Sequence, residues 1–325
     1  GIITIVSADS LEQCRFFFRY YTHVEHVAAS DIYVVEAGAS ALLRTCYQSL
    51  VPPSNVVPMW HGRIRAWTRL IRDRELIWRR VNNVSDGFSM SYWTQYAKLL
   101  QRELLLERNY THTLIAELDE VVTPIPSRYP LALLDYLSRN QHRRTVAPAA
   151  FEVQGAWSFE PPLNWDATPL LRQRSALLPA CGLRKPIVSR VPTRFTFAMH
   201  NMADPTFFAC DPSRFGSSLD CLDPDLWLIH LKCADLAPAL ADATFRLARP
   251  DLGENATAVV KALRHRCSNF EAWRSRGCEL GPTKGAKDSP NGTLCQNPVR
   301  LTFGITSPHR KEVFARIPQW LQDRV

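Results

Sequence analysis

Three carboxylates follow a short apolar run near the middle of this 325-residue chain. Residues 114–116 are apolar, and Glu117, Asp119 and Glu120 come directly after them. In an extended chain Glu117 and Asp119 point to the same side, because one residue separates them. Carboxylates at the carboxyl end of a strand suit Mg²⁺ or Mn²⁺, and these ions usually bind together with substrate phosphates. The alternative is a strand that runs into a solvated acidic turn.

Two more acidic residues, Asp9 and Glu36, follow the first and second predicted strands. In an open α/β sheet these positions border the ligand crevice. Asp9 and Glu36 are therefore candidate ligand contacts. The alternative for Asp9 is a plain helix cap, with Ser10 as the other candidate for that cap.

The elements that position these residues follow from the hydrophobic pattern. Strand and helix patterns alternate through the first half, which favours a mostly parallel sheet with right-handed crossovers. The sequence therefore predicts an α/β fold with helices flanking the sheet and a mixed α+β C-terminal part. The predicted strands are 2–7, 31–36, 55–60, 113–116, 145–154, 157–159, 194–199 and 226–231. The predicted helices are 11–26, 40–49, 89–109, 130–140, 234–247, 256–276 and 312–323, with a loop at 277–297.

Composition narrows the class of protein. The apolar fraction of 46% and the charged fraction of 22% are typical of a globular protein, and no apolar run approaches the length of a membrane span. The net charge is +8, but the Arg residues are dispersed, so no nucleic-acid signature is present and no nucleic-acid partner is expected. The first residues resemble a core strand and not a signal peptide. The absence of a starting Met fits a piece cut from a longer precursor.

The cysteines and glycosylation sequons do not decide between a cytoplasmic and a secretory location for the protein. None of the nine cysteines forms a C-x-x-C pair, which argues against a zinc site of the usual spacing. Cys14 and Cys46 fall in apolar helical patterns and are interpreted as core residues. A disulfide among Cys267, Cys278 and Cys295 is possible. Sequons occur at Asn83, Asn109, Asn255 and Asn291, of which the last two have a polar, turn-like context suited to glycosylation. Both the cytoplasm and the Golgi lumen, as part of a longer anchored protein, fit these features.

Several segments together resemble one family. They are E-L-D-E at 117–120, E-P-P-L-N-W at 160–165, P-L-L-R-Q-R at 169–174, R-K-P-I-V at 184–188 and L-I-H-L-K at 228–232. In this order the chain resembles the GT-A-type nucleotide-sugar glycosyltransferases, related to glycosyltransferase family 2 and to the family 92-like proteins. The resemblance implies a GT-A-like (Rossmann-like) catalytic domain over 1–245, with a nucleotide-binding half (1–120) and an acceptor half (121–245). Residues 246–325 would be a helical or irregular extension packed on it.

The resemblance also implies an activity and a metal site. The E-L-D-E segment resembles the D-x-D-E motif, which binds a divalent ion and the diphosphate of the donor. Asp119 is then the first ligand of Mn²⁺ or Mg²⁺, with Glu117 and Glu120 beside it. His200 and His230 are further ligand candidates, and for each the alternative is a histidine packed in the core. The implied reaction moves a sugar from a UDP- or GDP-sugar to a saccharide or another hydroxyl acceptor.

Further residues have roles that follow from this activity. Asp9 and Glu36 are assigned to the nucleoside of the donor, as contacts to its ribose hydroxyls or its base edge. Arg172, Arg174 and Lys185 are candidates for contact with the donor phosphates. An inverting enzyme needs a carboxylate base near the acceptor hydroxyl, and the candidates are Glu152 and Glu160.

The chain departs from the family pattern in three places: Glu117 replaces the first Asp, residues 8–9 replace an Asn-Glu dipeptide, and the segment at 36–40 is shortened. An inactive GT-A-like binding domain and a sugar-nucleotidyltransferase are the alternatives. The second normally has a Gly-rich loop after the first strand, which residues 7–10 lack.

Overall fold

The computed structural model describes eight stretches of the chain. These stretches are residues 1–6, 10–36, 41–58, 88–155, 160–179, 187–193, 222–235 and 315–325. The strands predicted at 157–159 and 194–199, the helices predicted at 234–247 and 256–276, and the loop predicted at 277–297 lie wholly or almost wholly outside them.

Strands and helices alternate along the N-terminal half. The elements are β1 (Ile2–Val6), α1 (Leu11–Arg19), β2 (Ile32–Glu36), α2 (Ala41–Gln48), β3 (Val56–Pro58), α3 (Phe88–Leu106) and β4 (Thr113–Ile115). The four strands lie in the order β3, β2, β1, β4, and every neighbouring pair is parallel. β1 and β2 are buried along most of their length, as expected for a parallel sheet covered on both faces.

The second half adds mainly antiparallel pairings. Its elements are β5 (Glu120–Pro124), α4 (Ala132–Arg139), β6 (Thr145–Gln154), β7 (Ala176–Pro179), β8 (Val188–Ser189), β9 (Leu222–His230), β10 (Ala315–Arg316) and α5 (Gln319–Arg324). β6 connects the two halves, because its first residues pair with β8 and the rest pairs with β7 and β9. The result is a mixed α/β fold with a curled sheet flanked by helices, so the predicted α/β class is confirmed.

The first helix shows how local sequence sets its start. Ser10 caps α1: its hydroxyl accepts a hydrogen bond from the Gln13 main-chain N–H, and the Gln13 side chain accepts one from Ser10 N–H. This reciprocal pair is a capping box, which satisfies two N–H groups that the helix itself leaves unbonded. Ser10 is therefore the cap, while Asp9 lies outside the described residues. The predicted helix is regular only to Arg19 and continues as a π-helical turn, Tyr20–Val24.

A disulfide between Cys14 and Cys46 joins α1 to α2. Both cysteines are buried, as the sequence predicted, and the bridge that joins them was missed in the sequence. The pairing joins positions 32 residues apart in the chain, so no local pattern indicated it. Cys233 is disulfide-bonded as well.

Residues 315–325 belong to the same sheet and core as the N-terminal half. β10 pairs with β7, and the predicted helix at 312–323 begins only after Pro318, since Ala315 and Arg316 are extended. Arg324 of α5 forms a bidentate pair with the buried Glu25, whose carboxylate also accepts from the Tyr20 hydroxyl. We call Glu25, Tyr20 and Arg324 the Glu25 cluster. This last part of the predicted extension is therefore built into the main fold.

Among the helices that the structure describes, none combines the length and the apolar character needed to cross a bilayer.

Candidate functional site

The acidic segment forms a tight turn between β4 and β5. Glu120 N–H donates to the Glu117 carbonyl (2.9 Å), and Glu117 N–H donates to Glu120 Oε2 (3.1 Å). Leu118 and Asp119 occupy the corner of this turn. The expectation of an extended chain was therefore wrong. The chain must turn here, because β4 pairs with β1 and β8 whereas β5 pairs with β9 in another part of the sheet.

Two of the three carboxylates are buried. Asp119 is 9% exposed and Glu120 is 1% exposed, while Glu117 is half-buried. The alternative of a solvated acidic turn is excluded for Asp119 and Glu120. A buried charge is costly unless it is paired, hydrogen-bonded or bound to a metal, so the surroundings of these groups decide what they do.

Strand register brings His230 against these carboxylates. In the pairing of β5 with β9, Glu120 lies opposite His230, and in the pairing of β6 with β9, Glu152 lies opposite the same residue. Asp119 lies beside these paired residues, in the turn. Its carbonyl accepts a hydrogen bond from Leu231 N–H (2.7 Å). Residues that face each other across neighbouring strands have their side chains on the same side of the sheet.

The imidazole of His230 lies between two carboxylates. Its Nδ1 is 3.0 Å from Glu152 Oε1, and its Nε2 is 3.4 Å from Asp119 Oδ2. We call Asp119, His230 and Glu152 the edge cluster, because Asp119 follows the carboxyl end of β4. The structure thus brings together two predicted metal ligands and one predicted catalytic base, and Glu120 is their cross-strand neighbour.

The charges around His230 determine its protonation. Burial lowers the pKa of His230, but the charge and hydrogen bond of Asp119, together with those of Glu152, outweigh burial and raise this pKa from 6.5 to about 9. Without a bound cation the ring is therefore an imidazolium at neutral pH. A metal ion bound at Nε2 would replace that proton, since only the neutral ring is a ligand.

The edge cluster fits a divalent ion through two protein ligands. Two atoms that each lie about 2.1 Å from a shared ion are about 3–3.4 Å apart, and Asp119 Oδ2 and His230 Nε2 have this spacing. Glu152 on the other nitrogen matches the outer-shell carboxylate that commonly orients a ligand histidine. Within the described stretches, no group of three or more His, Cys, Asp or Glu side chains is arranged to hold a metal. Mg²⁺ and Mn²⁺ can use two protein ligands, because water and substrate phosphates complete their shells.

Glu36 lies at the carboxyl end of β2, as the sequence predicted. Arg44 donates to its Oε1 (Nε, 2.9 Å) and the Tyr47 hydroxyl donates to its Oε2 (2.5 Å). Burial, followed by the hydrogen bond and charge of Glu36, raises the pKa of Tyr47. A ribose hydroxyl would have to share these oxygens with α2. Arg44 and Tyr47 were missed in the sequence, although their spacing of three residues places them on one helix face.

Two predicted phosphate contacts have other partners. Arg174 is buried, and its guanidinium donates to the carbonyls of Ala234 (2.5 Å) and Pro161 (3.1 Å). Burial lowers the pKa of Arg174, against the charges of Glu160 and Asp235. Arg172 lies at the surface, where it pairs with Asp323 at 2.8 Å.

Glu160, the second candidate base, is half-buried. Its Oε1 accepts a hydrogen bond from the Ser175 hydroxyl (2.7 Å), and its Oε2 lies 3.8 Å from Arg174 Nε. The structure therefore places Glu160 with Arg174 and Ser175. Lys185 and His200, which complete the predicted site, lie outside the described residues, as does Asp9.

A cavity of about 240 Å³ lies elsewhere in the molecule, between α1 and residues 167–170. Its lining is mainly apolar and includes Phe16, Tyr20 and Val24, together with Arg324. Among the described residues that line it, there is no predicted site residue and no Asp or Glu side chain. We therefore place the candidate site at the edge cluster, on the basis of its chemistry. No model of a known protein family matches the chain, and no curated protein matches it.

Proposed function

We propose that this chain is a metal-dependent glycosyltransferase with a GT-A-like fold, which moves a sugar from a nucleoside-diphosphate sugar to a hydroxyl acceptor. The observation that carries the proposal is the edge cluster. Asp119 Oδ2 and His230 Nε2 have the separation of two ligands of one ion, and Glu152 is hydrogen-bonded to the other ring nitrogen. The cluster follows the carboxyl end of β4, and open α/β sheets bind their ligands at that edge.

The proposed ion is Mn²⁺ or Mg²⁺, held by Asp119 and His230, with the half-buried Glu117 and the buried Glu120 beside them. When bound, it supplies Lewis-acid stabilisation of the negative charge on the departing diphosphate. A UDP- or GDP-sugar donor and a saccharide acceptor agree with the resemblance of the sequence to GT-A enzymes.

The protein residues hold the site in shape. Glu152 fixes the orientation and tautomer of the His230 ring, so that Nε2 faces Asp119. The hydrogen bond from Leu231 N–H to the Asp119 carbonyl fastens the turn to β9. In this arrangement Glu152 is a positioning residue. Glu160 is then the remaining candidate for the general base.

The test is a donor-hydrolysis screen of UDP- and GDP-sugars with Mn²⁺, run on the wild type, Asp119→Asn and Asp225→Asn. Asp225 is a matched control, because it lies on β9 like His230 but pairs with Arg128 near the surface. We expect Asp119→Asn to lower turnover by about two orders of magnitude, the usual scale for losing one strong electrostatic contact in a site. Asp225→Asn should stay within about twofold of the wild type.

Equal turnover by Asp119→Asn and the wild type would contradict the metal assignment. A thermal shift assay with UDP or GDP, with and without Mn²⁺, separates the remaining alternatives. If the wild type neither turns over a donor nor gains a Mn²⁺-dependent shift, the proposed activity is wrong.

A further inference from the structure

One glycosylation sequon, Asn109-Tyr110-Thr111, lies within the described residues. Asn109 and Thr111 are both exposed, and they occupy the short connection between α3 and β4. Asn109 has a φ of 58°, the left-handed conformation that often ends a helix and that Asn adopts more readily than most residues. Its side chain therefore lies at the surface at a position where the chain changes direction.

The middle residue of the sequon fixes this connection. The Tyr110 hydroxyl donates to Asp31 Oδ1 (2.8 Å) and lies 3.1 Å from the Tyr33 hydroxyl, and the two rings pack edge to face. Tyr110 is thus half-buried between two exposed neighbours. Because Tyr110 is anchored, the acceptor amide of Asn109 and the hydroxyl of Thr111 remain at the surface in the folded protein.

Disulfides indicate the compartment in which such a sequon is used. Cys14 and Cys46 form a buried bridge, and Cys233 is also disulfide-bonded. Structural disulfides form in the lumen of the endoplasmic reticulum and in later secretory compartments, and they are rare in the cytosol. The enzymes that attach glycans to N-x-S/T sequons act on proteins that pass through the same compartments.

The position of Asn109 is compatible with an active site at the other end of β4. Asn109 precedes β4, whereas the acidic turn at 117–120 follows β4. Asn109 and the acidic turn are therefore at the two ends of β4, and a glycan on Asn109 would be attached at the end away from the turn.

From these observations we propose that Asn109 carries an N-linked glycan, added while the chain folds in the lumen of the secretory pathway. The proposal does not depend on the enzymatic activity proposed above. The donor is an oligosaccharide joined through its first sugar to a diphosphate carrier. The bond formed joins the Asn109 side-chain nitrogen to the anomeric carbon of that sugar, and the bond broken joins the same carbon to a phosphate oxygen. The diphosphate carrier leaves with the electron pair of that bond, and the amide nitrogen gives up one proton.

The test is to express the full chain through the secretory pathway of a eukaryotic host and to measure the occupancy of this site. The denatured chain is treated with peptide N-glycosidase F in ¹⁸O water and then digested with trypsin, which releases residues 109–128 as one peptide. The glycosidase converts the glycosylated Asn into an ¹⁸O-labelled acid, so the mass of this peptide reports occupancy. We expect the label at Asn109 in most molecules, together with a non-reduced peptide pair linked through Cys14 and Cys46.

Two variants of Thr111 control for folding. Thr111→Ala removes the hydroxyl that the sequon requires and leaves Asn109 in place, so the label should disappear from peptide 109–128. Thr111→Ser keeps the sequon and should keep the label. An unlabelled peptide from a wild-type chain that has formed the Cys14–Cys46 bridge would overturn the proposal, as would a label that survives Thr111→Ala.

Discussion

The Glu25 cluster and the edge cluster both bury ionisable groups, but they hold them in different ways. In the Glu25 cluster one carboxylate receives donors on both oxygens: Tyr20 and Arg324 on Oε1, and Arg324 and the Leu133 N–H on Oε2. In the edge cluster one imidazole is shared between the carboxylates of Asp119 and Glu152. An arginine keeps its charge at every accessible pH, whereas an imidazole can exchange its proton for a metal ion. The Glu25 cluster therefore suits a permanent structural ion pair, and the edge cluster suits a site that binds a metal ion.

The largest expected effect is on stability, at the Glu25 cluster. Glu25→Gln leaves the Arg324 guanidinium partly buried without its counter-charge, and breaking a buried ion pair in this way costs about 3–5 kcal/mol. Urea unfolding of the wild type and the variant measures this loss. Glu36→Gln is the matched control, because Glu36 also binds an arginine and a tyrosine but pairs with an exposed Arg44. We expect about 1 kcal/mol or less for the control. Equal losses of unfolding free energy in both variants would contradict the distinction between a buried ion pair and a surface ion pair.

The second prediction is that the edge cluster makes stability depend on alkaline pH. The pKa of His230 is raised in the folded protein, from 6.5 to about 9. Its contribution to the free energy of unfolding is therefore fully present below pH 6.5 and is lost as pH rises towards 9, with a size on the order of 3 kcal/mol. Urea unfolding between pH 6 and 9.5 in EDTA measures it. The fall of the free energy of unfolding with rising pH should be absent in His230→Gln and retained in Glu25→Gln. A slope that persists in His230→Gln would assign the titration to another group.

The third prediction concerns the outer carboxylate and rests on the proposed function. Glu152→Gln keeps the shape of the side chain but weakens the hydrogen bond that orients His230. We expect the affinity for Mn²⁺, measured by calorimetric titration, to fall by about 10–100-fold, the usual cost of changing an outer-shell partner. Glu160→Gln is the comparison, because Glu160 contacts Ser175 and Arg174 and should leave Mn²⁺ affinity unchanged. Unchanged affinity in Glu152→Gln would remove Glu152 from the metal site.

The smallest effect is expected at Arg172, which the sequence assigned to the donor phosphates. The structure pairs it with Asp323 at the surface, so Arg172→Ala should change the free energy of unfolding by about 0.5 kcal/mol or less. Donor hydrolysis should keep the same KM. A rise in KM by about tenfold, which corresponds to 1.4 kcal/mol, would instead favour the phosphate role.

The features predicted correctly depend on neighbours in the sequence. β1, β2 and α2 follow from apolar runs and helical periodicity, and Ser10 was one of two cap candidates beside the first helical residues. The acidic segment was identified as a candidate site from its residue types alone. Its turn was considered only as the alternative to an extended chain, because residues 117–120 contain no Gly, Pro or Asn and Asp119 is the one residue among them that favours turns.

The features that were missed depend on long-range pairing. The register that places Glu152 opposite His230 joins residues 78 positions apart, and the bridge between Cys14 and Cys46 joins two helices. Neither contact leaves a local pattern, since strand pairing and helix packing determine both. The role of Glu152 beside His230 could therefore not be separated from a role as general base by sequence alone.

The pair between Glu25 and Arg324 spans 299 positions of the chain, which has a consequence for biosynthesis. While the polypeptide is being made, the Glu25 carboxylate exists long before its guanidinium partner has been translated. The N-terminal strands can pair with one another early, but the region around Tyr20 cannot reach its final packing until Arg324 has left the ribosome. Contacts between such distant positions slow folding, so the packing around Tyr20 is a late step in the folding of this domain.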